Sequence, residues 1–197
     1  TYTFAGRSDW RLPSIRELYS LVDSTKLDPA IDNSAFPGTS WFPYWSSTAA
    51  SDISSGFVAD FHAGELGFWN GSELGRVRLV RGSALTPASS ESARPNADYQ
   101  DNANGTVTHK PSGLTWQRCS VGQTWSGSSC SGTATQYAWA AVSVFISGEW
   151  RLPTVEELGT LIDFSQTAPA INRQMFPGTP SSMTTGYWTS STGISTS

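Results

Sequence analysis

Trp10-Arg11-Leu12-Pro13-Ser14-Ile15-Arg16-Glu17-Leu18 is written a second time in the chain, as Trp150-Arg151-Leu152-Pro153-Thr154-Val155-Glu156-Glu157-Leu158. The likeness continues. Leu21-Val22-Asp23, Pro29-Ala30-Ile31-Asp32 and Phe36-Pro37-Gly38-Thr39 return as Leu161-Ile162-Asp163, Pro169-Ala170-Ile171-Asn172 and Phe176-Pro177-Gly178-Thr179, always 140 residues later. Tyr44-Trp45-Ser46-Ser47-Thr48 returns three residues out of step, as Tyr187-Trp188-Thr189-Ser190-Ser191-Thr192. A fixed period marks an internal repeat, so the chain is read as two copies of one unit before any fold is assigned.

Leu-Pro-Ser/Thr-x-x-Glu is a helix start: the hydroxyl accepts from the backbone N–H three residues on, and the Glu reaches back to the N–H of the cap. The following apolar positions keep helical spacing and form a core stripe, Ile15, Leu18, Leu21 and Val22 in one copy and Val155, Leu158, Leu161 and Ile162 in the other. The Trp-Arg-Leu-Pro lead-in is open to two readings. It is a structural staple whose Arg pins a loop by a bidentate bond, or it is a binding motif.

Between and around these helices the chain reads as short strands. Gly56–His62 alternates apolar and polar residues, Ala63-Gly64-Glu65 turns it into Leu66–Trp69, and Asn70-Gly71 is a tight-turn signal. Gly75–Arg81 also alternates, with Val77 and Leu79 on one face and Arg76 and Arg78 on the other, so a small antiparallel sheet is expected. In the second copy Asn104-Gly105 and the turn His109–Gly113 predict a β-meander. A helix is expected over roughly 134 to 146, from the spacing of Tyr137, Ala138, Ala141, Val142 and Phe145. The fold class is therefore α+β, with small antiparallel sheets and two helices per copy. Residues 83–97 are rich in Ser, Ala and Pro without apolar periodicity and are read as a linker. It separates residues 1–82, the later part of one copy, from residues 98–197, the earlier part of another. Either a longer tandem array is cut at arbitrary points, or the halves complement one another between chains.

Composition narrows the function. Charged residues make up 14% and aromatic residues 12%, with nine Trp, and the net charge is −4 with a pI near 5.1. No basic footprint for nucleic acid is present, and no apolar run approaches the ~18 residues that span a bilayer. Membrane insertion of this segment is not expected, and a signal peptide or anchor upstream of Thr1 is left open. Cys119 and Cys130 are flanked by small, turn-forming residues, which lets the chain double back and close a disulfide loop worth about 2–3 kcal/mol. Such a bridge points to an oxidising, exported location.

The ordered set Gly113-Leu114-Thr115-Trp116-Gln117-Arg118-Cys119, Gly122-Gln123-Thr124-Trp125, Trp150-Arg151-Leu152-Pro153-Thr154, Glu157-Leu158, Phe176-Pro177-Gly178-Thr179 and Tyr187–Thr192 resembles the DUF1566 family, also called the Lcl C-terminal domain after a collagen-like adhesin. The first copy follows the same pattern from Trp10 and supplies its usual ending, Val77-Arg78-Leu79-Val80-Arg81-Gly82. The resemblance implies a fold similar to C-type lectins and to formylglycine-generating enzymes, carried by exported bacterial surface proteins. It also implies adhesion, with glycosaminoglycan binding by a trimer in the adhesin that gives the family its name. Sulfated glycans demand a basic surface that a chain of this pI lacks, so that ligand class is not carried over.

No enzyme constellation is read. His62 and His109 stand in different copies with no nucleophile motif beside either, and Cys119 and Cys130 are accounted for by the bridge. The binding candidates are Tyr44, Phe68, Trp69, Asn70, Glu73 and Arg76: an aromatic platform stacks the C–H face of a sugar while Asn, Glu and Arg bond its hydroxyls. Tyr44 and Trp45 also read as core residues. Asp98, Asp101, Asn102 and Asn104 form an oxygen-rich cluster that suits calcium, against the ordinary reading of Asx side chains capping a hairpin. The expectation is an exported, extracellular adhesion or recognition module for a glycan or a surface protein, with no cofactor beyond that calcium and with self-association as a trimer or a head-to-tail polymer. The alternative is a structural repeat of a filament or surface layer.

Overall fold

Both copies of the Leu-Pro-Ser/Thr-x-x-Glu stretch start a helix by the same set of bonds. In the computed structural model, which describes residues 2–49, 55–83, 93–145, 148–166, 169–181 and 186–191, α1 spans Ile15–Tyr19 and α2 spans Val155–Gly159. Ser14 Oγ accepts from Glu17 N at 3.2 Å and Glu17 Oε2 accepts from Ser14 N at 2.8 Å; Thr154 and Glu157 repeat both distances. Arg11 donates to both carboxylate oxygens of Glu17, at 2.7 and 2.5 Å, and Arg151 does the same to Glu157, at 2.6 and 2.5 Å. The Trp-Arg-Leu-Pro motif is thus structural at its Arg. This guanidinium, first among the causes, holds each glutamate at about 2, against an ordinary 4.5.

Each helix is shorter than its apolar stripe. Ser20 Oγ donates to Glu17 O at 2.8 Å, taking the carbonyl that Leu21 N–H would need, and Leu21 turns instead to Leu18 O. Thr160 Oγ1 does the same to Glu157 O at 2.7 Å. The chain then tightens and folds back, with Val22 bridging Ile31 and Ile162 bridging Ile171. A side chain bond to its own turn competes with helix continuation, which is why the stripe overestimates the helix.

The described chain falls into two compact units, one within residues 1–92 and one spanning Ala93–Ser191. In the first, β1 (Tyr44–Ala49), β2 (Ser55–Asp60) and β3 (Glu65–Asn70) form an antiparallel sheet in that order. The β2–β3 hairpin keeps one register over all six pairs, from Ser55↔Asn70 to Asp60↔Glu65, whereas β1–β2 shifts between Trp45 and Ala49. Helix α1 lies on β1 and β2: Pro13 O accepts from Ser47 N at 2.7 Å and Thr48 Oγ1 accepts from Ile15 N at 3.0 Å. Ile15, Leu18, Ala30, Ile31, Tyr44, Val58, Ala59 and Phe61 are buried.

Two expectations are corrected in this unit. Gly75–Arg81 is not a strand; it makes single bridges with two different partners, Arg76 with Tyr44 and Val80 with Arg11. Val77 and Arg78 also exchange their expected faces: Val77 is 60% exposed while Arg78 turns inward over the rings of Phe36, Tyr44 and Phe61, at 4.8, 5.1 and 5.7 Å. A guanidinium on aromatic faces is weakly hydrated and tolerates this position, and Arg78 Nη2 donates to Thr39 Oγ1 at 2.8 Å.

The second unit holds the expected meander as β4 (Tyr99–Asp101), β5 (Thr106–His109) and β6 (Leu114–Gln117), followed by a two-stranded ribbon, β7 (Thr124–Trp125) and β8 (Cys130–Ser131). Tyr99, Val107, Leu161 and Phe176 form its core. Cys119 and Cys130 are bridged. Arg118 ties the pieces together, donating to Met175 O at 3.0 Å, Gln174 O at 2.9 Å and Asp101 Oδ2 at 2.7 Å while lying 4.1 Å from the Trp125 ring centroid. Arg94 and Asn96, within the stretch read as a linker, bond to Thr160 O and Gln174 of this unit; residues 84–92 lie outside the described residues.

The helix expected over 134–146 is corrected to a 3-10 helix at Trp139–Phe145. Thr135 N donates to Val121 O, which holds the preceding residues extended, and Tyr137 O, the acceptor an α-helix would give to Ala141, is taken by Trp188 Nε1 at 2.7 Å. Ala141 N bonds Ala138 O instead, the i→i+3 pattern of the tighter helix. The three-residue step between copies leaves the frame intact. Pro153 O accepts from Ser190 N at 2.7 Å and Ser191 Oγ from Val155 N at 3.0 Å, as in the first unit.

Candidate functional site: an aromatic platform on the first unit

Alternation along β1 sends neighbouring aromatics to opposite faces of the sheet. Tyr44 goes inward and is 6% exposed, its ring edge-on to Phe61 at 5.3 Å and its hydroxyl accepting from Ser40 N at 3.1 Å. It offers no face to a ligand, so among the proposed binding residues Tyr44 is corrected to a core residue. Trp45 goes outward into a slot that two glycines leave open. A Cβ at Gly56 would lie 2.9 Å from the Trp45 ring, and one at Gly75 would lie 2.6 Å from its Nε1. Trp69, opposite Gly56 in the β2–β3 ladder, stands edge-on to Trp45 at 6.4 Å and 85°.

The Gly75-Arg76 step that closes this slot also carries the exposed part of the platform. Arg76 N donates to Pro43 O and Arg76 O accepts from Trp45 N, both at 2.8 Å, which sets its guanidinium 5.6 Å from the Phe42 ring centroid. Phe42 lies 4.7 Å from Trp41. Trp41 is 60% and Phe42 38% exposed, and Leu74 and Val77 are exposed beside the same step. The structure therefore makes two groups of these residues: Trp69 stands with Trp45, and Arg76 stands with Phe42 and Trp41. Asn70 and Glu73 occupy the adjoining turn, where Asn70 Oδ1 accepts from Ser72 N at 3.0 Å and Glu73 N donates to Asn70 O at 2.9 Å. The Phe68 side chain lies outside what the structure describes.

Sequence reasoning missed Trp41 and Phe42. The signal was in the repeat itself, since the corresponding stretch of the second copy, Pro180-Ser181-Ser182-Met183-Thr184-Thr185-Gly186, carries no aromatic residue. What the two copies share is the frame; the aromatic pair is particular to the first.

The proposed calcium residues are engaged in local bonds. Asp101 Oδ1 accepts from Ala103 N at 2.8 Å and Oδ2 from Arg118, and these bonds, Ala103's first, hold its carboxyl below the usual range. Asn104 Oδ1 accepts from Thr106 N and Oγ1, and Asn102 Nδ2 donates to Thr106 and Thr108. Asp98 sits at the end of the 3-10 turn Asn96–Asp98. Among the described residues no group of three or more His, Cys, Asp or Glu is placed to hold a metal ion. His62 is exposed with Nδ1 3.5 Å from Asp28 Oδ1, and His109 is buried with Nδ1 2.8 Å from Ser112 Oγ.

The family model of the Lcl C-terminal domain matches residues 1–81 and 105–197. The chain belongs to the Lcl C-terminal domain family. No curated protein and no solved structure matches it. Lcl C-terminal domains are associated with surface adhesins, and the two matched stretches are the two partial copies read from the repeat. Among the described residues of this Lcl chain no helix is long and apolar enough to cross a membrane.

Proposed function

We propose that this chain is a non-enzymatic, exported recognition module that binds a glycan through the aromatic platform of its first unit, on a fold of the C-type-lectin-like or formylglycine-generating-enzyme-like kind. The observation that carries the reading is the Trp41–Phe42–Arg76 group: two adjacent rings stand exposed although nothing in the shared frame requires them, with a guanidinium stacked beside them. Exposed aromatic faces stack on the C–H face of a pyranose, and the guanidinium and the Asn70–Glu73 turn supply donors and acceptors for the surrounding hydroxyls. The test is a glycan array with the intact chain and with Trp41→Ala. Binding of a defined sugar that falls at least tenfold in Trp41→Ala, with the thermal midpoint unchanged, supports the reading. An array without hits, or hits unaffected by the substitution, removes it. Among the described residues no loop bonds the backbone of β3 on the side away from β2, which favours a second reading, a structural repeat that assembles through its sheets.

A further inference from the structure

The two edges of the first unit's sheet are treated differently. The outer edge of β1 is covered, with Trp45 N donating to Arg76 O and Ser47 N to Pro13 O. Along β3, among the described residues, no loop bonds the backbone of Glu65–Trp69 from the side away from β2. Natural edge strands are guarded by brevity, a bulge, Pro or Lys. Glu65-Leu66-Gly67-Phe68-Trp69-Asn70 has six residues in one unbroken register, no Pro or Lys, and a single charge at its first position. A row of unpaired N–H and C=O groups on a regular strand is a template for another strand.

We propose that β3 pairs antiparallel with β3 of a second copy of this chain, about a two-fold axis, to join two three-stranded sheets into one of six. A two-fold requires that the strand be complementary to itself, and this one is. With the axis at Gly67, Gly67 faces the partner's Gly67, Leu66 faces the partner's Phe68 and Glu65 faces the partner's Trp69. With the axis at Phe68, Gly67 faces the partner's Trp69, which repeats the Gly56↔Trp69 pairing already present in this sheet. In both registers the two Glu65 carboxylates stand apart, so no like charges meet across the ladder. This pairing uses backbone edge rather than ring faces, so it stands whether or not the platform binds a sugar.

Gly67 allows a test that leaves the unit folded: a Cβ there meets Val58 Cγ2 at 3.6 Å, an ordinary contact, and its backbone is not among the positive-φ positions. Gly67→Thr adds a neutral strand-former, while Gly67→Lys adds the residue that natural edges use as a guard. Analytical ultracentrifugation of the intact chain and both variants across a concentration series is the experiment, with thermal melts as a check on folding. The expected result is a monomer–dimer equilibrium in the parent, equal or tighter in Gly67→Thr and about tenfold weaker in Gly67→Lys at low salt, with melting midpoints alike. A parent that stays monomeric at the highest concentration reached, or a dimer equally tight in all three proteins, overturns the proposal.

Discussion

Replacing Glu17 by Gln keeps the shape of the capping residue and removes the charge that Arg11 grips through two bonds. The Glu17 side chain is 10% and Arg11 30% exposed. A carboxyl held at about 2 against 4.5 contributes at most about 3 kcal/mol, which solvent around the guanidinium reduces to about 1–2 kcal/mol. Because the folded value is depressed, that contribution is fully present above pH 4.5 and is lost as pH falls towards 2. Glu17→Gln should therefore lower stability by about 2 kcal/mol at pH 7, counting the weakened bond to Ser14 N, and by much less at pH 2. The second copy is an internal control. The same bonds occur at Glu157, but Glu157 is 24% and Arg151 55% exposed, so Glu157→Gln should cost about 1 kcal/mol or less. Urea melts at both pH values, with amide exchange at Ser14 and Thr154 reporting each site, measure this directly. Equal losses at pH 7 and pH 2, or a larger cost at Glu157 than at Glu17, would refute the assignment of stability to the Arg–Glu clamp.

Arg118→Lys should destabilise the second unit by about 2–3 kcal/mol, because one ammonium cannot reach two carbonyls and a carboxylate while lying over Trp125; differential scanning calorimetry reads the loss. Gly75→Ala should cost about 1–3 kcal/mol and shift tryptophan emission, since its Cβ has no room beside Trp45. Reducing Cys119–Cys130 should cost the second unit about 2–3 kcal/mol and leave the first unchanged, a separation that amide exchange can show.

What the sequence made legible was whatever the chain states locally. The two capping boxes, the Ala63-Gly64 and Asn104-Gly105 turns and the disulfide each depend on residues close together in sequence, and each is present. The misreadings share a cause: a distant group took a bond or a face that local pattern assigned elsewhere. Trp188 removed a carbonyl from the expected helix at 134–146, and three rings drew Arg78 inward against its alternation. Tyr44 and Trp45 are adjacent letters with opposite fates, which a six-residue strand decides and composition does not. At the candidate site, the Asn70-Gly71 turn marked Trp69, and the alternating stretch Gly75–Arg81 carried Arg76. Trp41 and Phe42 were passed over because they lie in a loop without apolar alternation, where only a comparison of the two copies sets them apart.

The loop between Phe-Pro-Gly-Thr and Tyr-Trp has two lengths in one molecule, and the bonds on either side of it keep the same distances. Length and composition there are decoupled from the frame: the first copy spends the loop on exposed rings, the second on hydroxyls and three more residues. Such a joint is a natural insertion point. New surface chemistry can be written into it, by mutation or by a designer, without renegotiating the helix cap or the strand that anchor its two ends.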